Sequence, residues 1–183
     1  METYEILQDF PFTSASKRMG IVIRHRATGR LFFYLKGADT VMKNKVRPNQ
    51  RVVIDESCDN LSNEGLRTLV ISMKPLTEKQ YEDWSRKYAE AKADLNDRER
   101  LVQLCIEELE QDMDLLGVTG VEDKLQDNVA VVIESLRNAG IQVWMLTGDK
   151  VETATCIAIS AGFKKRSEQI FLIRDMTDPL EAQ

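Results

Sequence analysis

Two sets of residues in this chain have the types and spacing to do chemistry. Leu146, Thr147, Gly148, Asp149 and Lys150 follow an almost wholly apolar run at 141–146 and precede a helical pattern at 151–161. A glycine lets a backbone approach closely, and free amides at a helix start attract an anion. Thr147 adds a hydroxyl and Asp149 a carboxylate, an arrangement suited to a phosphate group. Asp149 serves equally as a plain helix cap, with Glu152 three residues on. A second apolar run at 115–121 ends at Glu122, Asp123 and Lys124. If both runs are strands of one parallel sheet, Asp123 and Thr147 emerge on the same edge, where ligands bind in such sheets. No nucleophile accompanies them.

The second set lies earlier. Phe12 and Lys17 precede one extended run, Lys36 and Gly37 end the next, and Arg67 opens a third. An aromatic ring can stack on a nucleobase. Lysines supply compact charges for phosphates, and arginine offers a planar fork. One aromatic and three cations near strand ends suit a nucleotide. Taken singly, Phe12 also fits a core aromatic and Lys17 a surface cation. The chain has no Gly-rich Walker loop, which excludes an ordinary P-loop site.

The elements that must position these groups fall into two patterns. Residues 19–26 alternate, residues 31–37 form a second extended run, and the Ala-Thr-Gly-Arg between them supplies a turn, so the pair predicts an antiparallel hairpin. A helix is expected over 50–63, closed by Gly65, then a strand over 66–73. Thr77 with Gln80 forms a capping box for a helix that lines up Tyr81, Trp84, Tyr88 and Ala91. Asn96, with Glu99, is the expected cap of a second helix whose apolar face is Leu101, Leu104, Cys105, Leu109 and Met113. After Met113 the order becomes strand (115–121), helix (125–138), strand (141–146) and helix (151–161), with 170–173 a further candidate strand. That order implies a right-handed parallel crossover.

The fold class expected is therefore α/β, an antiparallel sheet with helices followed by part of a parallel sheet, with the change near residue 114. Composition agrees with a packed chain: 43% of the 183 residues are hydrophobic and 30% charged. A net charge of -5 argues against a nucleic-acid binder, which needs a basic face. Three scattered cysteines and a single histidine, His25, argue against a zinc site and suit a reducing compartment. No apolar run approaches the ~20 residues of a membrane span, and the N-terminus does not read as a signal peptide.

The order and spacing of five stretches carry a resemblance. FPFTSASKRMGIVIR (10–24), YLKGADT (34–40) and NEGLRTLV (63–70) resemble the nucleotide-binding domain of P-type ATPases. LLGVTGVEDKLQDNV (115–129) and WMLTGDKVETA (144–154) resemble the adjoining part of their phosphorylation domain. The wording EDKLQ, KGADT and LTGDK-x-ETA is similar to the type IV subfamily, the phospholipid flippases, and FPFTS-x-SKRMG most resembles its Neo1-like class 2 branch.

The resemblance implies roles. Phe12 matches the adenine-stacking aromatic, Lys36 with Gly37 the base of the ATP pocket, and Arg67 the arginine that reaches the phosphates. Lys17 matches a basic residue beside that pocket. Thr147, Gly148 and Asp149 match the phosphate-side loop of a domain with a haloacid-dehalogenase-like fold, and Asp123 matches a hinge residue that couples the two domains. The implied division is 1–113, part of the nucleotide-binding domain, and 114–183, part of the phosphorylation domain. ATP with Mg²⁺ is the implied ligand. The family's DKTGT acceptor motif and GDGxND metal motif do not occur in the 183 residues, so no catalytic residue, no metal ligand and no turnover by this chain alone are expected. The implied partners are ATP and the remaining actuator and membrane domains of a parent pump. Phospholipid would be met only through the membrane part, and no nucleic acid is implied. The implied location is the cytosolic face of a Golgi or endosomal membrane. The alternative is a non-catalytic module that binds a nucleotide or a protein.

Overall fold

A computed structural model describes residues 2–122, 124–165 and 167–173. They divide into two compact units, Met1–Asp123 and Lys124–Gln183.

The first unit is built on a five-stranded sheet in the order β1-β2-β3-β4-β5, from Tyr4–Phe10, Arg18–His25, Leu31–Gly37, Arg67–Leu76 and Asp114–Val121. Every neighbouring pair is antiparallel. The β2–β3 hairpin forms as its alternation predicts, closed by the His25 amide donating to the Arg30 carbonyl at 2.8 Å. Strand β1 has no counterpart in the sequence reading. It pairs Tyr4 with His25 and Phe10 with Gly20.

Helices cover one face only. Val22, Phe33, Leu35 and Val70 point into a core completed by α2 (Arg51–Asn63), α3 (Glu78–Ala93) and α4 (Arg98–Leu109), which supply Ile54, Cys58, Trp84, Tyr88 and Leu109. Phe10, at 8% exposure, sits edge-on to Phe33, Trp84 and Tyr88 with centroids 5.9–6.0 Å apart. Helix α2 ends where Gly65 takes φ 83°, a conformation open to glycine, and the Leu66 amide returns to the Leu61 carbonyl at 3.0 Å. A short helix α1 (Asp39–Met42) and a 3-10 turn (Pro48–Gln50) link β3 to α2.

The capping box of α3 is present in both halves: the Gln80 amide donates to Thr77 Oγ1 at 3.2 Å, and the Thr77 amide donates to Gln80 Oε1 at 2.9 Å. Thr77→Ala is expected to lower the unfolding free energy by about 1 kcal/mol in urea titration. A change under a few tenths would mean that the packing of Trp84 and Tyr88 alone holds this helix start.

Helix α4 departs from expectation by one residue. Asp97, not Asn96, stands at its N-cap, and Asp94 Oδ1 accepts from the amides of both Asn96 and Asp97. The inward face becomes Val102, Cys105, Ile106 and Leu109, while Leu104 is exposed. Met113 is buried beyond the helix, in a parallel bridge to Val46. At the helix end Lys74 Nζ donates to the Leu109 and Gln111 carbonyls, which places a cation at the negative pole of α4. Burial pushes the Lys74 amine below its usual range.

The α/β class with an antiparallel sheet and helices is what the first unit displays. The parallel part is not among the described residues. Residues 115–121 form a strand as expected, but β5 pairs antiparallel with β4, Arg67 opposite Val121 and Met73 opposite Asp114. The first unit therefore runs to Asp123, nine residues or so beyond the compositional change near 114. Residues 141–146 and 170–173 join no ladder. An apolar run marks a segment that wants burial but does not supply the neighbouring strand, and hydrogen bonding decides whether it becomes one.

The second unit holds the helices α5 (Val129–Asn138) and α6 (Val151–Ser160). Gly162 lies against Ala130, and a Cβ added there would sit 3.2 Å from the alanine methyl. Arg137 donates to the carbonyls of Gly162 and Phe163 at 3.3 and 2.6 Å, closing the end of α6. No helix among the described residues is long and apolar enough to cross a membrane.

Candidate functional site

The antiparallel order brings one end of four strands together. Phe12 stands two residues past the end of β1, Lys17 one residue before β2, Lys36 and Gly37 at the end of β3, and Arg67 at the start of β4. Register fixes their spacing. Arg18 pairs with Gly37, and Lys36 pairs with both Met19 and Ile71. Arg67 lies four positions before Ile71, on the same face by even separation and ~13 Å along the strand at about 3.3 Å per residue.

The face they rim is the one without helices. Leu35 and Gly37 are buried in the core side, so Lys36 between them is turned to the open side and is exposed. Phe12 is 59% exposed, whereas Phe10, two residues earlier, occupies the core. The choice between core aromatic and surface platform is thus made by two different phenylalanines. Lys17 is held tightly although its side chain is exposed. Its φ is 51°, its amide donates to the Thr13 carbonyl at 2.9 Å, and its carbonyl accepts from the Ala38 amide at 3.0 Å. A left-handed backbone at a non-glycine residue costs on the order of 1 kcal/mol or more and persists only where the surroundings enforce it.

The enforcing contact is Gly37. A Cβ there would stand 2.7 Å from Arg18 Cβ and 2.8 Å from the Lys17 carbonyl oxygen. Gly37 thus allows the Lys17 turn to lie directly on the end of β3. Next to it, on the open face, is a shallow cavity of about 230 Å³ floored by Met19, Ile21, Tyr34, Lys36 and Ile71. Motif spacing does not single out Met19, Ile21, Tyr34 or Ile71. Strand register does: the β2–β3 pairing puts Met19, Ile21 and Tyr34 on the face opposite Val22 and Leu35, and the β3–β4 pairing adds Ile71 beside Lys36.

Chemically, this end offers a flat apolar floor, an exposed ring and three cations on separate strands. Among the described residues no group of three or more His, Cys, Asp or Glu gathers. A ring, an apolar floor and cations are the chemistry that the base and phosphates of a nucleotide call for.

Thr147, Gly148 and Asp149 belong to the second unit. Thr147 donates to Asp149 Oδ2 at 2.9 Å and accepts from the Asp149 amide at 3.0 Å, a compact turn before α6. Lys150 holds the N-cap position, one residue later than the cap reading of Asp149. Asp123 lies outside the described residues.

Comparison with known proteins gives the family. A family profile described as "P-type ATPase, cytoplasmic domain N" matches residues 1–128, and the chain belongs to that family. Among similar proteins, a "Probable phospholipid-transporting ATPase IIB" of Danio rerio is 51% identical over 180 residues, 98% of this chain and 16% of its own length. "Phospholipid-transporting ATPase NEO1" of Saccharomyces cerevisiae is 50% identical over 177 residues, 96% of this chain and 15% of its own. "Probable phospholipid-transporting ATPase tat-5" of Caenorhabditis elegans is 46% identical over 183 residues, all of this chain and 17% of its own. The chain thus spans about a sixth of the length of the curated relatives it matches.

Proposed function

We propose that this chain binds ATP at the open sheet end, as the nucleotide-holding part of a P-type ATPase that moves phospholipid between membrane leaflets. The observation that carries the reading is the convergence of Phe12, Lys17, Lys36 and Arg67, from four strands, on one edge beside an apolar floor. Phe12 stacks on the base, which rests on Met19 and Tyr34. Lys36 and Lys17 flank the sugar and the first phosphates, and Arg67 takes the distal ones. When bound, ATP supplies the phosphoryl group, and what these residues contribute is position and charge neutralisation. Mg²⁺ would arrive with the nucleotide rather than on carboxylates of this chain.

In the parent, the second unit, from Lys124 on, contributes to a haloacid-dehalogenase-like phosphorylation domain, with Asp123 at its hinge and Thr147, Gly148 and Asp149 on the phosphate side. Support comes from the apolar runs at 141–146 and 170–173, where Trp144, Leu146, Phe171 and Ile173 are exposed. Bare runs of this kind suit strands whose neighbours lie elsewhere in the chain. The relatives' names support phospholipid as the transported substrate, and a Golgi or endosomal membrane is the location we assign to the parent.

Calorimetric titration tests the site. ATP should bind the chain weakly, and Phe12→Ala, Lys36→Ala and Arg67→Ala should each raise Kd about tenfold, the worth of one stacked base or one charge-assisted contact. Unchanged affinity in Phe12→Ala would rule out the stacking role.

A further inference from the structure

A buried carboxylate of the first unit is not used by that reading. Glu110 is 2% exposed and sits at the C-cap of α4, where the helix dipole disfavours a carboxylate. Burial disfavours it again unless it is paired. Two cations pair it. Arg18 Nε donates to Oε1 at 2.6 Å, and Lys45 Nζ lies 3.0 Å from Oε2, an ionic contact off the hydrogen-bond direction. Both partners are themselves largely covered.

What the two cations belong to gives Glu110 its meaning. Arg18 opens β2 directly after Lys17, and its Nη1 donates to the Ser16 carbonyl at 3.2 Å, so it braces the turn from Thr13 to Lys17. Lys45 follows α1, the segment that leaves β3 after Lys36 and Gly37, and its carbonyl accepts from the Met113 amide at 2.9 Å. One carboxylate thus ties the Lys17 turn to the segment that follows β3 and α1, from the helix-covered side of the sheet.

We propose that Glu110 is a positioning residue for the nucleotide site, clamping the Lys17 turn against the end of β3 through Arg18 and Lys45. The proposal rests on the ATP reading for its effect on binding, but the clamp itself is visible without ligand. The local signature is the pair of amides that close the turn, Lys17 to Thr13 and Ala38 to Lys17.

The test compares the full chain with Glu110→Gln, which keeps the shape and removes the charge, and with Arg18→Lys, which keeps the charge and removes the Nε contact. Hydrogen exchange followed by NMR reads the clamp, and ATP calorimetry reads its effect. In either variant, exchange at Lys17 and Ala38 should quicken at least about tenfold while the Val22 and Phe33 amides in the hairpin keep their rates. The Kd for ATP should rise about tenfold. Unchanged exchange at the two amides would overturn the clamp, and so would acceleration spread evenly over the sheet, which is what a merely structural ion pair predicts. If Glu110→Gln does not fold, Arg18→Lys decides by the same readouts. A wild-type chain that takes up no ATP would sink the nucleotide reading, while the exchange rates would still judge the clamp.

Discussion

Phe33→Ala is expected to destabilise the first unit by about 3–5 kcal/mol, the range for an aromatic removed from a packed core. Phe33 is fully buried in the central strand and touches the Phe10, Trp84 and Tyr88 cluster through Phe10. Its ring also fills the space above Gly20 on β2, where a Cβ would stand only 2.8 Å from Phe33 Cε2. Glycine and ring are matched: removing the ring leaves a void that Gly20 has no side chain to fill. A domain of this size has a stability on the order of 10 kcal/mol, so the loss is a large fraction of the whole. Urea unfolding followed by circular dichroism measures it. A loss below 1 kcal/mol would show that the neighbouring core collapses into the gap.

Gly37→Ala acts on the site itself. The colliding atoms are backbone and Cβ atoms of Lys17 and Arg18 at 2.7–3.0 Å, none of which is the free end of a flexible side chain. The start of β2 must move away, and the bond from the Ala38 amide to the Lys17 carbonyl must lengthen or break. Overpacking of this kind costs about 1–3 kcal/mol. Because the shift falls on the Lys17 turn, ATP affinity should drop about tenfold as well, since a misplacement near 1 Å is costly to any polyanion site. Gly117→Ala in β5 is the control: its added methyl meets nothing within 4 Å, and a strand glycine replaced by alanine loses little or gains slightly. Equal affinity in the two variants would break the link between Gly37 and the site.

Local chemistry was the legible part of this fold. The hairpin, the Gly65 stop and the Thr77–Gln80 box each depend on residues within about five positions of one another, and each forms as read. Phase and partner were harder. Helix α4 starts one residue late, with the Asp94 side chain holding the amides of Asn96 and Asp97 ahead of it, and its buried face includes Val102 and Ile106 in place of Leu104. Strand β1 offers few inward apolar groups, with Tyr4 and Ile6 exposed, so no periodicity announced it. β5 was recognised as a strand, but its apolar run does not encode which edge it joins. Pairing with β4 is settled by close packing, since Gly120 lies against Leu66 and Leu61 where any Cβ would come within 2.8 Å of Leu66. The candidate site residues were nominated by type and spacing. Their apolar floor was not, because Met19, Tyr34 and Ile71 are ordinary strand residues until register places them beside Lys36.

The rung that joins Arg67 to Val121 is the last of the β4–β5 ladder, and the chain leaves the sheet immediately after it. Tension applied to the chain beyond Glu122 therefore loads this ladder as a zipper, one rung at a time, and the first tooth to part is the one that seats Arg67. If the proposed site holds a nucleotide, a mechanical pull downstream would reach Arg67 before it disturbed Phe12 or Lys36, loosening one end of the ligand while the other end stayed gripped.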